Sequence, residues 1–284
     1  MLRAAVSLFA LVLTTIATPA QTLDGRLNTI SKTNSVKVAY RTDAAPFSFL
    51  NDNKEPAGYS IDLCNLVVRA LEKQLGVQAL EIKWIPVTTE TRFEAVASGV
   101  ADMECGASTV TFGRMKQVDF SSFVFIESTG LVARTGSGIS SFKDLAGKRV
   151  AVIAGTSNER AIAARSKELQ LNATIVVVKD RDDGVAALEG GRADAFASDK
   201  LLLVGAKFKN PQAFAMLPDD LSVEPYAIVL PRGDWALRLA VNTGLARVYA
   251  SGEIMTIFNK WFSAMGLRPG LMLGAAFALG ALPE

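Results

Sequence analysis

Arginine residues follow several β-rich runs of the 284-residue sequence, at positions where strands are expected to end. Four of them share this placement: Arg41, Arg92, Arg114 and Arg181. A guanidinium is a planar fork that binds a carboxylate through two hydrogen bonds and keeps its charge near neutral pH. Because open α/β sheets hold ligands beyond the carboxyl ends of their strands, we expect these side chains to share one cleft.

Hydroxyl groups, backbone amides and one acid accompany the arginines. Thr89 and Thr109 each precede an arginine by a few residues, and the GTS sequence at 155–157 precedes a predicted helix. The first N–H groups of a helix favour an anion. Asp199 follows the run ADAFA (193–197) and can pair with an ammonium group. Such a cleft matches a small ligand that carries two carboxylates and one amine.

Each of these residues also has a commoner role. A loop arginine is usually solvated, and for Arg41 or Arg181 alone that interpretation stays open. Arg92 can instead pair with Glu94 or Asp62. Three further candidates belong to the residue types that cap helices, namely Thr156, Ser157 and Asp199. Their coincidence at one predicted sheet edge favours the functional role.

Strands and helices alternate along the chain in two similar series. The β-rich runs of the first series lie at 36–40, 81–85 and 101–105, and those of the second at 148–153, 174–178 and 193–197. The strings AVASGVAD (95–102) and ALEGGRAD (187–194) align without gaps, each as a helix, a glycine stop and an Ala-Asp entry into a strand. These series predict two α/β lobes, each an open, mainly parallel sheet flanked by helices.

A further β-rich run, YAIVLPR (226–232), follows the second series and precedes two predicted helices. We therefore expect the chain to leave the first lobe near 125–128 and to return near 223–226. The predicted lobes are residues 25–126 with 226–284 for lobe one, and residues 127–225 for lobe two. Two adjacent crossings make a hinge, with the cleft between the lobes.

Composition excludes several classes of function. The chain has no histidine, which removes the usual Ser-His-Asp and Cys-His catalytic sets and most zinc sites. We predict neither a metal nor another cofactor. Lys and Arg number 30 against 28 Asp and Glu, so nothing in the charge calls for nucleic acid. Cys64 and Cys105 could form a disulfide in an oxidising compartment, and two buried thiols are the equal alternative.

Residues 1–20 have the layout of a secretory signal peptide. Arg3 precedes an apolar run from Ala4 to Ala17, and the small residues around Ala20 permit cleavage there. The run is too short to span a bilayer comfortably. We therefore expect an exported protein.

Five stretches of the sequence resemble motifs of a known family. The most specific is ECGASTVTFGRMKQVDFS (104–121), with its hydroxyl residues, its Thr-x-x-Arg and a following Phe-Ser. The others are GYSIDL (58–63), IPVTTETR (85–92), DLAGKRVAVIAGTSNE (144–159) and LEGGRADAFASD (188–199). They are similar to solute-binding protein family 3, the periplasmic amino-acid-binding proteins of ABC importers, and within it to the glutamate/aspartate-binding branch.

The resemblance covers nearly the whole mature chain. It implies the two-lobed type II periplasmic-binding-protein fold and a monomer without enzyme activity. It also implies a free acidic amino acid, glutamate or aspartate, as ligand. The further partner would be the membrane permease of an ABC transporter, and the location would be the periplasm.

The resemblance assigns a role to each candidate residue. Arg114 would grip the α-carboxylate of the ligand, completed by Thr109 and the backbone at Ala107. Asp199 would receive the α-ammonium, and lobe two would close over the α-carboxylate with Ser157 beside Thr156. The side-chain carboxylate would be bound by the remaining positions, Arg41, Thr89, Arg92 and Arg181.

Two positions depart from the family pattern. Ala107 stands where serine is frequent, so only a backbone contact is available there. Arg181 stands where the acidic branch can carry histidine, and an arginine cannot deprotonate. We expect this change to favour the shorter aspartate or another dicarboxylate over glutamate.

Other functions stay open at this point. Some proteins of this fold are cyclohexadienyl or arogenate dehydratases, and Glu104 is the one obvious extra carboxylate for such chemistry. A separate soluble sensor for a receptor kinase is another alternative. A binder of a different amino acid such as glutamine is a third, although it would need fewer fixed positive charges.

Overall fold

The computed structural model describes residues 23–206 and 208–283, so the predicted signal peptide at 1–20 lies outside the described residues. Strands follow the predicted β-rich runs. In chain order they are β1 (Ser35–Arg41), β2 (Asp43–Ala44), β3 (Ser48–Leu50), β4 (Pro56–Ala57), β5 (Glu81–Val87), β6 (Met103–Glu104), β7 (Val118–Glu127), β8 (Thr129–Arg134), β9 (Arg149–Ile153), β10 (Thr174–Val178), β11 (Ala195–Asp199), β12 (Phe214–Met216) and β13 (Glu224–Pro231).

Helices fill the connections between these strands. They are α1 (Gly25–Thr33), α2 (Tyr59–Leu75), α3 (Arg92–Ala97), α4 (Ser157–Glu168), α5 (Arg181–Glu189), α6 (Lys200–Val204), α7 (Trp235–Ala250), α8 (Glu253–Phe262) and α9 (Leu271–Gly280). Short 3-10 helices lie at Arg114–Lys116, Phe142–Leu145, Pro211–Ala213 and Ser263–Met265. None of the described helices has the length and apolarity that a membrane crossing needs.

Two five-stranded sheets form the framework. The first sheet has the order β5-β1-β6-β13-β7, and the second has the order β10-β9-β11-β8-β12. In the first, β1 runs parallel to β5 and β6, while β13 runs antiparallel to β6 and β7. In the second, β9 runs parallel to β10 and β11, while β8 runs antiparallel to β11 and β12. Both sheets are therefore mixed and not mainly parallel.

Within the described residues, the chain passes between the two five-stranded sheets twice. It passes from the first sheet to the second between Glu127 and Thr129, and it returns between Met216 and Glu224. The two passages are tied together, because the hydroxyl of Thr129 donates to the Glu224 carboxylate at 3.2 Å. Paired crossings of this kind suit the hinge that the sequence predicts, and the lobe boundaries themselves stay a prediction.

Alternating strand residues bury opposite faces of each sheet. In β1, Val38 packs under α2 and α7, whereas its neighbour Ala39 faces α3. In β9, Val152 and Ile153 likewise belong to separate apolar clusters. Helices thus cover both faces of both sheets, as the α/β pattern predicts.

The repeated Ala-Asp strings occupy equivalent places in the two sheets. Asp102 accepts a hydrogen bond from the backbone N–H of Lys37 at 2.8 Å, and Asp194 accepts one from that of Arg149 at 2.8 Å. In each case the aspartate joins the end of a helix–strand connection to the neighbouring parallel strand, β1 or β9. The internal similarity therefore reflects two copies of one strand-helix arrangement.

A disulfide joins Cys64 of α2 to Cys105, which settles the choice left open by the sequence. Cys105 directly follows β6 and precedes Gly106. The bond therefore anchors the loop that carries the motif from 104 to 121 against the core helix α2.

Candidate functional site

All ten predicted site residues line a single narrow cavity of about 20 Å³ between the two sheets. The first sheet and its loops contribute Arg41, Thr89, Arg92, Ala107, Thr109 and Arg114. The second contributes Thr156, Ser157, Arg181 and Asp199. The rest of the lining comprises Ile153, Asn158, Ser198 and Leu202. The residues that were predicted to lie at strand ends are therefore close to one another in the fold.

Arg92 is buried at the start of α3 and points away from the surface. Its Nε donates to the Ser108 hydroxyl at 3.0 Å, and its Nη1 donates to the Thr89 carbonyl. Burial and the nearby guanidiniums of Arg41 and Arg114 lower the pKa of Arg92 to about 9. The charge is therefore held in an environment that disfavours it until an anion arrives.

The alternative partners of Arg92 are engaged elsewhere. Glu94 accepts a hydrogen bond from Gln117 at 2.9 Å. Asp62 accepts one from the Trp261 indole at 2.7 Å and pairs with Lys260. A surface ion pair is therefore the wrong interpretation of Arg92.

Arg114 lies in the 3-10 helix that follows the β6 loop, half-buried at the cavity. Its Nη1 donates to the Thr109 carbonyl at 2.7 Å. The ring of Phe93 packs between two cations, 4.8 Å from the Arg114 guanidinium and 4.4 Å from that of Arg92. The negative face of an aromatic ring attracts a cation, so Phe93 helps to hold both guanidinium groups in place.

The GTS loop at 155–157 divides its tasks between neighbouring hydroxyls. Thr156 caps α4 by accepting a hydrogen bond from the Glu159 N–H at 3.2 Å, so the capping role holds for this residue. Ser157 has no such role, and its hydroxyl lies 3.2 Å from that of Thr109, within hydrogen-bonding distance. This contact joins the second sheet's side of the cleft to the first.

Asp199 ends β11 and is buried, but its side chain makes no capping bond to α6. The interpretation of this residue as a simple cap is therefore wrong. Its carboxylate accepts a hydrogen bond from Asn158 at 3.3 Å. Burial, followed by repulsion from Glu224, raises the pKa of Asp199 to about 6. An ammonium group placed beside it would favour the ionised form.

Arg181 is the first residue of α5, and Asp180 caps this helix by accepting a hydrogen bond from the Asp183 N–H at 2.9 Å. The residue is buried, and burial lowers the pKa of its guanidinium. Its Nη1 donates to the Asp43 carbonyl and lies 3.7 Å from the Asp43 carboxylate. The interpretation of Arg181 as a solvated loop residue is wrong.

Arg41 ends β1 and is buried as well, so it is not a solvated residue either. Its Nη2 donates to the Asp43 carboxylate at 2.5 Å. Asp43 therefore contacts two arginines that approach from different sheets. Asp43 was not predicted from the sequence, although its position two residues after Arg41 was a usable signal.

Two buried polar atoms without a partner belong to arginines that line the cavity. Among the described residues, the atoms without a partner are Nε of Arg41, Nε of Arg181, both carboxylate oxygens of Glu104, Oε2 of Glu224 and Oη of Tyr226. Buried polar groups are nearly always hydrogen-bonded, so the unpaired donors of the two arginines indicate a binding site. The two free Nε groups are donors on arginines that line the cavity, which suits an anionic ligand.

Glu104 is fully buried beneath the arginines, and burial raises the pKa of its carboxyl. Its Oε1 packs so closely against Gly106 that a Cβ there would stand 2.0 Å away. Gly106 is thus required for the close approach of the loop. Glu104 does not line the cavity, so it is poorly placed to transfer protons to a bound molecule.

Asn158, like Asp43, was not predicted from the sequence. Its amide donates to Asp199 and, at 2.8 Å, to the Thr129 hydroxyl at the chain crossing. Its place directly after the GTS loop was the available signal. Asn158 connects the cavity to the hinge predicted from the sequence.

Comparisons with known proteins agree with this geometry. The model of the bacterial extracellular solute-binding proteins, family 3, matches residues 36–264. The chain is 37% identical over 247 residues to the L-glutamate/L-aspartate-binding protein of Pseudomonas aeruginosa, covering 86% of this chain and 82% of that protein. It is 34% identical over 238 residues to the glutamate/aspartate import solute-binding protein of Escherichia coli, covering 83% and 79%.

Solved structures show the same fold. An ancestral arginine-binding protein bound to glutamine is 27% identical, with a TM-score of 0.71, over 81% of this chain and 98% of that chain. The ancestral amino acid-binding protein AncCDT-1, a precursor of cyclohexadienyl dehydratase, is 26% identical, with a TM-score of 0.72, over 84% and 100%.

The predicted two-lobed type II fold and the prediction of a solute-binding protein without enzyme activity are thereby confirmed. The match to the family model extends across both sheets and includes every residue that lines the cavity. The chain belongs to the bacterial extracellular solute-binding proteins of family 3.

Proposed function

We propose that this protein binds L-aspartate or L-glutamate in the cavity between the two sheets and delivers it to the membrane permease of an ABC importer. The observation that carries the proposal is the convergence of four guanidinium groups and one buried acid on one cavity. Arg41, Arg92 and Arg181 are buried cations, and a buried charge is costly until a counter-charge compensates it. A ligand with two carboxylates supplies that compensation.

The groups of the ligand match the chemistry of separate sets of lining residues. Arg114 would bind the α-carboxylate through two hydrogen bonds from its guanidinium group. The hydroxyl groups of Thr109 and Ser157 would donate further hydrogen bonds to it. Asp199 would hold the α-ammonium. Arg41, Arg92 and Arg181 would take the side-chain carboxylate, with Thr89 beside them.

The charge of the site favours an acid over an amide. A glutamine or asparagine side chain would leave the guanidinium groups of three buried arginines without a counter-ion from the ligand. The named relatives in Pseudomonas aeruginosa and Escherichia coli support the acidic ligand, since both are described as binding glutamate and aspartate. A micromolar Kd corresponds to about −8 kcal/mol, which is attainable after desolvation and ordering are subtracted.

The family is extracellular, and the finer location follows from the sequence. A cleavable leader at residues 1–20 would export the chain to the periplasm. There it would act as a monomer that presents its ligand to the permease. Detection of the N-terminus of the exported protein at residue 21 would test the leader.

A thermal-shift screen of the mature protein tests the ligand class. The twenty amino acids and several small dicarboxylates are each added at 1 mM, a level chosen for this test. A ligand bound only by the folded state raises the Tm. Aspartate and glutamate are expected to give the largest rises, and a larger rise with a basic or neutral amino acid would refute the proposal.

A further inference from the structure

Asp43 lies on β2, outside the cavity, and contacts two arginines that line it. One carboxylate oxygen accepts a hydrogen bond from Nη2 of Arg41 at 2.5 Å. The other lies 3.7 Å from Nη1 of Arg181, which also donates to the Asp43 carbonyl. Arg41 ends a strand of the first sheet, whereas Arg181 begins a helix packed on the second. Asp43 therefore joins the two sides of the cleft at its rim.

These contacts occupy one Nη atom of each guanidinium and leave its Nε without a partner. Asp43 is absent from the cavity lining and lies in a neighbouring open depression with Thr88 and Lys179. It engages Nη atoms of both arginines, while Nε of Arg41 and Nε of Arg181 are buried without a partner. A guanidinium is planar and rigid, so holding its Nη end also determines where its Nε–H points.

The two guanidiniums would not hold this arrangement unaided. Both are buried and carry the same charge, and their mutual repulsion is one reason why the pKa of Arg181 is lowered. Arg181 also stands in the first turn of α5, where the helix dipole disfavours a cation. A shared carboxylate offsets both effects.

We propose that Asp43 is a positioning and specificity-determining residue, which holds Arg41 and Arg181 from outside the cavity so that their Nε groups together receive the distal carboxylate of the ligand. The inference rests on the proposed function and deepens it. Asp43 makes no contact with the ligand in this arrangement. It would raise the affinity of the site for an acid relative to the matching amide.

The effect on specificity separates this role from two simpler ones. If Asp43 only held the two sides of the cleft together, its loss would lower the affinity for every ligand by the same factor. If it only offset positive charge, its loss would strengthen the preference for acids. A positioning role predicts the opposite change, because an amide depends less than a carboxylate on two oriented cationic donors.

Titration calorimetry on the mature protein and two variants tests the inference, with aspartate, glutamate, asparagine and glutamine as probes. Asp43→Ala is expected to weaken both acids at least tenfold and both amides less than threefold. Asp43→Asn keeps an acceptor for Arg41 and is expected to fall between wild type and Asp43→Ala. Glu168→Gln is the matched control, because it neutralises the partner of an exposed arginine, Arg165, far from the cavity.

Each other outcome overturns the inference. An unchanged acid-to-amide ratio, a ratio that rises, or equal losses for all four ligands would each exclude positioning by Asp43. Should Asp43→Ala fail to fold, as judged by circular dichroism, Asp43→Asn decides on the same ratio. Wild-type protein that binds neither acid would refute the proposed function, whereas wild-type binding with unaltered ratios would refute only the role of Asp43.

Discussion

Arginine side chains carry the chemistry of this protein at the scale of single residues. Their charge cannot be removed by deprotonation near neutral pH, unlike that of lysine or histidine after burial. Burial of Arg41, Arg92 and Arg181 therefore raises the electrostatic energy of the site. Under the proposed function, a dicarboxylate would lower that energy, so the affinity and the preference for acids would have one cause.

Arg114 is expected to be the strongest single contributor to affinity. Charge-assisted hydrogen bonds contribute about 1.5–3 kcal/mol each, and Arg114 offers two of them to one carboxylate. Arg114→Ala should therefore weaken aspartate and glutamate at least a hundredfold in calorimetry. Arg114→Lys should recover only part of the loss, because lysine keeps the charge without the fork. Arg165→Ala, which removes an exposed arginine of α4, should bind like wild type.

Affinity should fall as the pH is lowered through the pKa of Asp199, which burial raises to about 6. The ligand ammonium needs the ionised carboxylate, so protons compete with it below that value. Lowering the pH from 7.5 to 5 should weaken aspartate about tenfold, since one proton is displaced per ligand bound.

Glu127 provides the control for this titration. Burial raises the pKa of Glu127 to about 7, yet its carboxylate accepts from the Leu201 backbone and does not line the cavity. Glu127→Gln should keep the loss of affinity at low pH. Affinity that is flat between pH 7.5 and 5 would show that Asp199 does not meet the ammonium.

The residue scale also shows how far sequence reasoning reaches. The rule that ligands meet the carboxyl ends of strands selected nine residues, the family resemblance added Ala107, and all ten line the cavity. It missed Asp43 because that residue acts through Arg181, which is 138 positions away in the chain. It missed Asn158 because the importance of its amide depends on two partners, Thr129 and Asp199, that come together only in the fold.

At the scale of elements, short connections place the functional side chains. Glycine residues follow the ends of α3 and α5. The Ala-Asp strings after them position the next strands, because Asp102 binds the backbone of β1 and Asp194 binds that of β9. Patterns of this kind are visible in the sequence because they depend on neighbours in the chain. The start of α5 was harder to place, since Asp180 can cap a helix or belong to the preceding loop.

The disulfide between α2 and the loop after β6 should stabilise the element that carries Arg114. Its two cysteines are 41 residues apart, and a crosslink of that length is worth about 4 kcal/mol by restricting the unfolded chain. The double variant Cys64→Ala/Cys105→Ala should therefore unfold at a clearly lower urea concentration.

Reduction of the wild-type protein provides the matching control. Reduced wild type and the double variant should unfold at similar urea concentrations, since both lack the crosslink. An unfolding midpoint equal to that of the oxidised protein in either sample would show that the loop needs no such anchor.

At the scale of the whole molecule, the two sides of the cleft meet through both apolar and polar contacts. Leu201 and Leu202 of α6 belong to the apolar cluster of the first sheet. Ser157 reaches Thr109, and Arg181 reaches Asp43. The paired chain crossings provide a place where one side can rotate against the other. The alternation of strands and helices predicted two such units, but no local pattern shows how closely they approach.

Ligand-driven closure is expected to be visible in solution scattering. A compact chain of this size has a radius of gyration of about 18 Å, and an opened cleft gives a larger value. Saturating aspartate should lower the radius of the wild-type protein towards that figure and leave Arg114→Ala unchanged. The same radius with and without ligand would contradict closure of the cleft.

The decisive comparison is the affinity of the mature wild-type protein for acids and for their amides, measured by calorimetry in one buffer at pH 7.5. Four arginines converging on one cavity predict that aspartate or glutamate binds with a Kd near the micromolar range. Asparagine and glutamine should bind at least a hundredfold more weakly, a difference of about 2.8 kcal/mol. Binding of either amide as tight as that of its acid would contradict the recognition of a carboxylate by these guanidinium groups.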